Sequence, residues 1–347
     1  MAIIDIIKPE RPTMKIAMMG PRAVGKTTVL TAVFNETKMS IATTMLKLTD
    51  RGDTGKELQD RLYYLKSVFR EQEEITDKSQ PEAGLAATSS EHLFQFSFGV
   101  LGKEPSIDME IKDFPGEYVI SHPDRVTTFI NESTAIFIAI DTPHLMERDG
   151  EFNEIKNKPS IITQFFRDVL QEFDNEKLVI LIPLKCEKYF RENRMEDVLQ
   201  RVEEVYAELI ALFRQNSRIC CSVAPILTLG DVIFDDFQYT SSGDVDLDID
   251  GTPRLVRYKY VGNPPKYSPR FCSQPLYATL SFLAAQYTRD RKRESFWRKW
   301  LNGIWNLFKT DDQLFQEVLK MEKNRLTDNS NLGYKVLCGG ELFHYDH

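Results

Sequence analysis

Residues 20–27 read GPRAVGKT and lie between the apolar run MKIAMM and the stretch TVLTAVF. Glycines in such a loop let the backbone turn its N–H groups inward, and the helix that follows adds the positive end of its dipole. A strand before and an amphipathic helix after are the context this spacing needs; Val29, Leu30, Val33 and Phe34 supply the helix's apolar face. The pattern predicts a polyphosphate cradle built from Gly20, Ala23, Val24, Gly25, Lys26, Thr27 and Thr28. In it Lys26 reaches the β- and γ-phosphates and the Thr27 hydroxyl ligates Mg²⁺. Such a strand–loop–helix unit demands a covered sheet, which narrows the fold class to α/β.

Short β-rich runs and longer helical stretches alternate along the rest of the chain. Candidate strands cover residues 14–19, 92–98, 107–112, 134–140, 178–184 and 219–227. In HLFQFSF and IDMEIK every second residue is apolar, and the link VLGKEPS cannot hold a crossover helix, so these two form an antiparallel hairpin at the sheet's edge. The wholly apolar runs TAIFIAI and LVILIPL are buried parallel strands. Helical stripes run through Leu58, Leu62, Leu65 and Phe69, through Ile161, Phe165, Phe166 and Val169, and through Val198, Val202, Leu209 and Phe213. The expected architecture is a mostly parallel sheet with one antiparallel edge strand and helices on both faces. One domain spans 13–290, with insertions at about 37–83 and 231–269, and a helical extension covers 291–347.

Composition removes several function classes. With 52 acidic and 44 basic residues the net charge is -8, so no nucleic-acid partner is expected. Five scattered cysteines argue against a disulfide framework or a zinc site and point to a reducing, cytoplasmic setting. The apolar runs are too short to span a bilayer, and MAIIDIIKPERP has no signal-peptide pattern. Neither HExxH nor GxSxG occurs. DVDLDIDG at 244–251 has the start of a calcium-loop spacing, but Arg257 stands where the bidentate carboxylate belongs; an alternating strand with an acidic face is expected there.

A phosphate cradle needs a second element to hold the metal from across the cleft. DFPGE at 113–117 ends the strand IDMEIK, so Asp113 can hold Mg²⁺ and the Gly116 N–H can bond the γ-phosphate.

A phosphate loop followed by a hairpin ending in DxxG resembles the Ras-like, translation-factor class of P-loop GTPases, over about 13–289. Within it, GLAATSSEHLFQFSF, KDFPGE and FCSQPLYATLSFL give a layout similar to predicted bacterial "double-GTPase" partners of conflict-type operons. The resemblance implies a Ras-like G domain, GTP and GDP as ligands ahead of ATP, and a protein partner, such as a second GTPase or effector from the same operon. It implies that Thr88 closes on Mg²⁺ and the γ-phosphate, with Ser89 and Ser90 as competitors. For the base, the family's NKxD is here Leu184-Lys185-Cys186-Glu187: Lys185 would lie along the guanine plane and Glu187 would accept from its N1 and N2 hydrogens. Thr228-Leu229-Gly230 replaces the usual Ser-Ala turn and can offer backbone N–H groups.

Two positions bear on rate. Arg22 stands where the family has glycine, either as a steric brake or as a cation for the transition state. Glu117 stands where many relatives carry the glutamine that orients water, and its charge sits beside an anionic phosphate. Lys26, Glu117, Thr88 and Arg22 are thus the catalytic set, Thr27, Thr88 and Asp113 the metal set, and slow turnover is expected. After the basic run RDRKR, Phe296, Trp297, Trp300, Leu301, Ile304, Trp305 and Phe308 share a helical face that can pack on the domain, dock in a partner's groove or touch an anionic membrane. A further stripe through Leu314, Phe315, Val318 and Leu319 suggests a helical hairpin.

Overall fold

A computed structural model describes residues 11–41, 45–71, 75–76, 91–292, 312–327 and 333–343. From the N-terminus run β1 (Thr13–Met19), α1 (Lys26–Ile41), β2 (Leu46–Asp50), α2 (Thr54–Glu71) and the two-residue β3 (Ile75–Thr76). Then come β4 (His92–Val100), β5 (Ile107–Asp113), α3 (Tyr118–Ser121), α4 (Pro123–Glu132), β6 (Ala135–Asp141), α5 (Thr142–Met146), α6 (Asn153–Asn157) and α7 (Pro159–Val169). The second half holds β7 (Lys177–Leu184), α8 (Glu187–Arg191), α9 (Met195–Val205), α10 (Ala207–Arg214), β8 (Ile219–Val223), β9 (Val232–Phe237), β10 (Val256–Tyr260), α11 (Gln274–Lys292), α12 (Asp312–Thr327) and β11 (Lys335–Cys338).

Among the described residues the main sheet has eight strands, in the order β11-β8-β7-β6-β1-β5-β4-β2. β5, β1, β6, β7 and β8 run parallel, while β4 is antiparallel to both β5 and β2, and β11 is antiparallel to β8. This is an α/β P-loop fold. After β1 the chain builds the β5 side and then returns to build the β6 side, so the loop after β1 opens where the strand order reverses. Crevices at such switch points, outside the carboxyl ends of parallel strands, are where α/β sheets hold ligands.

Alternation along each central strand divides the core between two faces. Met14, Ile16 and Met18 of β1, with Phe137 and Ala139 of β6, pack with Val29 and Val33 of α1, Leu280 and Phe282 of α11, and Leu314 and Val318 of α12. Ala17 and Met19, with Ile136, Ile138 and Ile140, pack on the other face with Val126 and Ile130 of α4, Phe166 of α7 and Phe213 of α10. Burying both faces is what demands runs as apolar as AIFIA and LVILI.

Several outlines differ from the sequence-based expectation. The predicted hairpin forms, with Phe96 opposite Met109, but β2 lies outside it and takes the edge. LKLTD offers only two inward side chains, Leu46 and Leu48, too few to announce a strand. At the opposite edge β11 joins the sheet from within the stretch expected to be helical. The predicted strand 219–227 ends at Val223, just before Pro225, which has no N–H to give a ladder. The acidic stretch 244–251 is a pair of turns with isolated bridges at Tyr239–Val245 and Leu247–Pro253, not an alternating strand. RLVRYKYV does supply β10, which sits between β3 and β9 in a small second sheet. The described cysteines are all free and buried.

Candidate functional site

The glycine loop is tied down at both ends. Gly20 has φ +138°, and a Cβ there would lie 2.8 Å from the Ala139 carbonyl oxygen, so β6 presses on the loop where only glycine passes. Ala23 and Gly25 also take positive φ, 58° and 105°, turning the chain into α1, whose first residue is Lys26. A left-handed alanine is uncommon, a strained conformation of the kind that clusters at functional loops.

Lys26 folds back over this loop. Its Nζ donates to the Gly20 carbonyl at 3.0 Å and to the Pro21 carbonyl at 3.1 Å, and it lies 3.9 Å from Asp113 Oδ1. The Thr27 hydroxyl donates to Asp113 Oδ2 at 3.3 Å. All three are buried: Lys26 is 4% exposed, Thr27 8% and Asp113 0%. Burial lowers the Lys26 pKa; the Asp113 and Glu117 carboxylates oppose this, and Lys156 of α6 adds to it. β1 and β5 are paired side by side, with Met18 opposite Asp113, which is why the two motifs meet.

The DxxG glycine closes the same cleft. A Cβ on Gly116 would stand 2.7 Å from the Arg22 nitrogen and 2.8 Å from both the Gly20 oxygen and the Pro21 carbonyl carbon. Backbone therefore meets backbone at the rim of the loop, next to the exposed Arg22 and Glu117 side chains. Ala23 is likewise exposed, Val24 is buried and Thr28 is half-buried at the start of α1. Thr88, Ser89, Ser90 and the Trp-rich stretch 296–308 lie outside the described residues.

Farther along the carboxyl edge, β6 and β7 end in a polar cluster. Lys185, at φ 61°, sends its Nζ to Asp141 Oδ2 and the Tyr258 hydroxyl, each at 2.9 Å. Asp141 Oδ1 meets His144 Nδ1 at 2.7 Å, and the Asn157 amide bonds both the N–H and the carbonyl of Asp141. Burial raises the Asp141 pKa, but Lys185 and His144 outweigh it and hold the carboxyl well below the usual carboxylate range. The sequence reading did not single out Asp141, although it ends an apolar strand as Asp113 does. His144, Asn157, Lys156 and Tyr258 carry no comparable local signal.

Glu187 opens α8 with its side chain inside, 3% exposed. Its Oε1 accepts from the Leu229 N–H at 2.6 Å and more weakly from the Gly230 N–H at 3.4 Å, and burial raises its pKa. Thr228 accepts from the Lys185 N–H at 3.5 Å. The structure thus brings Lys185, Glu187 and Thr228 together, but with their polar groups directed at protein partners.

Chemically, the loop end pairs a cation with a hydroxyl and a carboxylate, two hard oxygens of the kind Mg²⁺ takes alongside phosphate oxygens. No cluster of three or more His, Cys, Asp or Glu side chains that could hold a metal by itself occurs among the described residues. Mg²⁺ bound jointly with a nucleotide needs no such cluster. No helix among the described residues is long and apolar enough to cross a membrane.

No protein-family model matches the sequence, and no curated protein does. Among solved structures, the chain is similar to the S. cerevisiae Ski7 GTPase-like domain bound to GDP and inorganic phosphate, at 12% identity and TM-score 0.39 over 63% of this chain and 44% of that one. The same domain bound to GTP gives 15% identity and TM-score 0.40 over 77% and 50%. LeoA, a bacterial dynamin GTPase from ETEC, gives 10% identity and TM-score 0.25 over 60% and 37%. The chain spans half or less of the length of these structures.

Proposed function

We propose that this chain binds a nucleoside triphosphate together with Mg²⁺, with GTP the first candidate, hydrolyses it slowly and uses its occupancy to change its hold on a protein partner. The observation that carries this reading is the buried Lys26–Asp113–Thr27 group at the foot of a glycine loop, with Gly116 against that loop. Lys26, held meanwhile by two carbonyls, is the cation for the terminal phosphates. Thr27 and Asp113 would hold Mg²⁺, which when bound neutralises phosphate charge. GTP is favoured by the resemblance noted for DFPGE and the hairpin before it.

Switching follows from Gly116. It packs on the loop's own backbone, so a phosphate arriving at that rim changes what the segment after Asp113 touches. Thr88 is proposed to close from the other side. Slow turnover follows from Glu117, whose charge stands near the phosphates where a neutral side chain would orient water without repulsion. The partner is proposed to be a protein, a second GTPase or an effector from the same operon, in the cytoplasm; residues 296–308 are the proposed docking or membrane-contact segment.

Single-turnover phosphate release from GTP with and without Mg²⁺, set beside nucleotide binding, tests this reading. Mg²⁺-dependent release that disappears in Lys26→Ala supports it. Tight binding with no γ-phosphate loss, alone or with the partner, makes the chain a nucleotide-holding assembly module instead.

A further inference from the structure

Lys185 is fixed at root and tip. Its backbone has φ 61°, and its N–H donates to the Thr228 hydroxyl at 3.5 Å. Its Nζ donates to Asp141 Oδ2 and to the Tyr258 hydroxyl, each at 2.9 Å, and lies 5.4 Å from the centre of the Tyr258 ring. A lysine's flexible four-carbon stem is among the costliest to order, and here it is ordered while the side chain stays 17% exposed. Asp141 ends a strand of the main sheet. Tyr258 belongs to the small sheet, where β10 sets it opposite Phe234 of β9 and Ile75 of β3. The same sheet also touches the second group on Asp141: the Phe237 ring meets the His144 ring edge-on, with centroids 5.3 Å apart.

We propose that Tyr258, together with Asp141, is a positioning residue that holds Lys185 for the nucleoside end of a bound triphosphate, so that the small sheet forms a wall of the nucleotide site. This rests on the nucleotide-binding reading above and adds to it the element that meets the nucleoside. The cluster lies beside the phosphate loop. Gly20 is pressed on Ala139 of β6, Asp141 is two residues farther along that strand, and Lys156 stands near enough to both ends for its charge to act on Lys26 and on Asp141. Asp113 and Gly116 close the loop on the β5 side. A nucleotide held by its phosphates therefore extends the other way, over the carboxyl ends of β6 and β7, where Lys185 begins. There the clamped stem offers a planar base an apolar contact whose ordering cost is met in folding and not in binding.

The test is isothermal titration of the full chain, stripped of nucleotide, with GTP and with inorganic tripolyphosphate, each with Mg²⁺. Tripolyphosphate has the phosphate end and no nucleoside. Tyr258→Phe should weaken GTP about three- to tenfold, the effect of having to order one long side chain on binding, and leave tripolyphosphate within about twofold. Equal weakening of both ligands, or unchanged GTP affinity, overturns the proposal and leaves nucleotide binding intact. Binding of neither ligand by the wild-type chain would instead take down the nucleotide reading, and this inference with it.

Lys185→Met adds an independent arm, because it keeps the length of the stem and removes the ammonium. In that background Tyr258→Phe should cause no further loss of GTP affinity, since the group it positions is gone. A loss as large as in wild type would show that Tyr258 acts through something else and would overturn the proposal. Asp141→Asn should repeat the Tyr258→Phe pattern, and a folded variant with wild-type GTP affinity would overturn it. Should Asp141→Asn fail to fold, or tripolyphosphate bind too weakly to titrate, the Lys185→Met comparison decides by itself.

Discussion

The Thr27 hydroxyl donates to the Asp113 carboxylate at 3.3 Å across 86 positions of sequence, and neither side chain is more than 8% exposed. Lys26 stands on the same carboxylate group at 3.9 Å. A buried cation, hydroxyl and anion at the mouth of a glycine loop are a costly arrangement for stability alone, since removing charges from water is repaid only in part by their attraction. The proposed triphosphate and Mg²⁺ would complete the group.

Lys26→Ala should therefore abolish triphosphate binding without unfolding the chain. The two carbonyl bonds that Lys26 makes are formed over the loop, not within the core. Losing charge-assisted hydrogen bonds to phosphate, about 1.5 kcal/mol or more each, predicts an affinity drop of at least about a hundredfold. Isothermal titration beside circular dichroism checks both halves; unchanged affinity in a folded variant would contradict the phosphate role.

Gly116→Ala should separate the loop from the DxxG segment. The three atoms nearest the added methyl are main-chain atoms of residues 20–22, at 2.7–2.8 Å, and none of these is a flexible side-chain end. Overpacking of this kind costs about 1–3 kcal/mol, and triphosphate affinity should fall along with the melting temperature. Wild-type values for both would show that the two segments part freely.

Truncation after residue 311 should cost folding and solubility. It removes Leu314 and Val318 from the α1–α11 face and strips β11 from β8, whose edge is then bare. A soluble product with the full-length unfolding midpoint would remove this segment from the core.

Lys177 provides a pH test. Its Nζ is bonded to the Asn131 and Ser133 carbonyls, each at 2.6 Å, and burial pushes its pKa down to about 7 although Asp174 and Glu132 pull it upward. Below pH 7 the folded and unfolded chains both hold this proton; above it the unfolded chain alone keeps it, up to its ordinary value near 10.5. Stability contributed by this site therefore rises with pH between those limits. Urea unfolding at pH 6.5 and 8.5 should show wild type gaining about 1–2 kcal/mol relative to Lys177→Met. A difference that stays flat with pH would mean that the ammonium titrates normally.

Local spacing was enough to reveal the phosphate loop, the aspartate that ends β5 and the five parallel strands, because each announces itself within a few residues. Glycine geometry, strand alternation and unbroken apolar runs are properties of neighbours in the chain. Tertiary structure alone decided the sheet's edges: β2 and β11 are short, and what makes them strands is hydrogen bonding to β4 and β8, far away in sequence. It likewise decided the polar cluster at the ends of β6 and β7. Asp141 with His144, Lys185 and Tyr258 come from three stretches of sequence, and folding sets Glu187 Oε1 beneath the amide of Leu229. A carboxylate's role depends on which donors lie within about 3 Å, and that distance is set by how the strands pack, not by the residue's place in a motif.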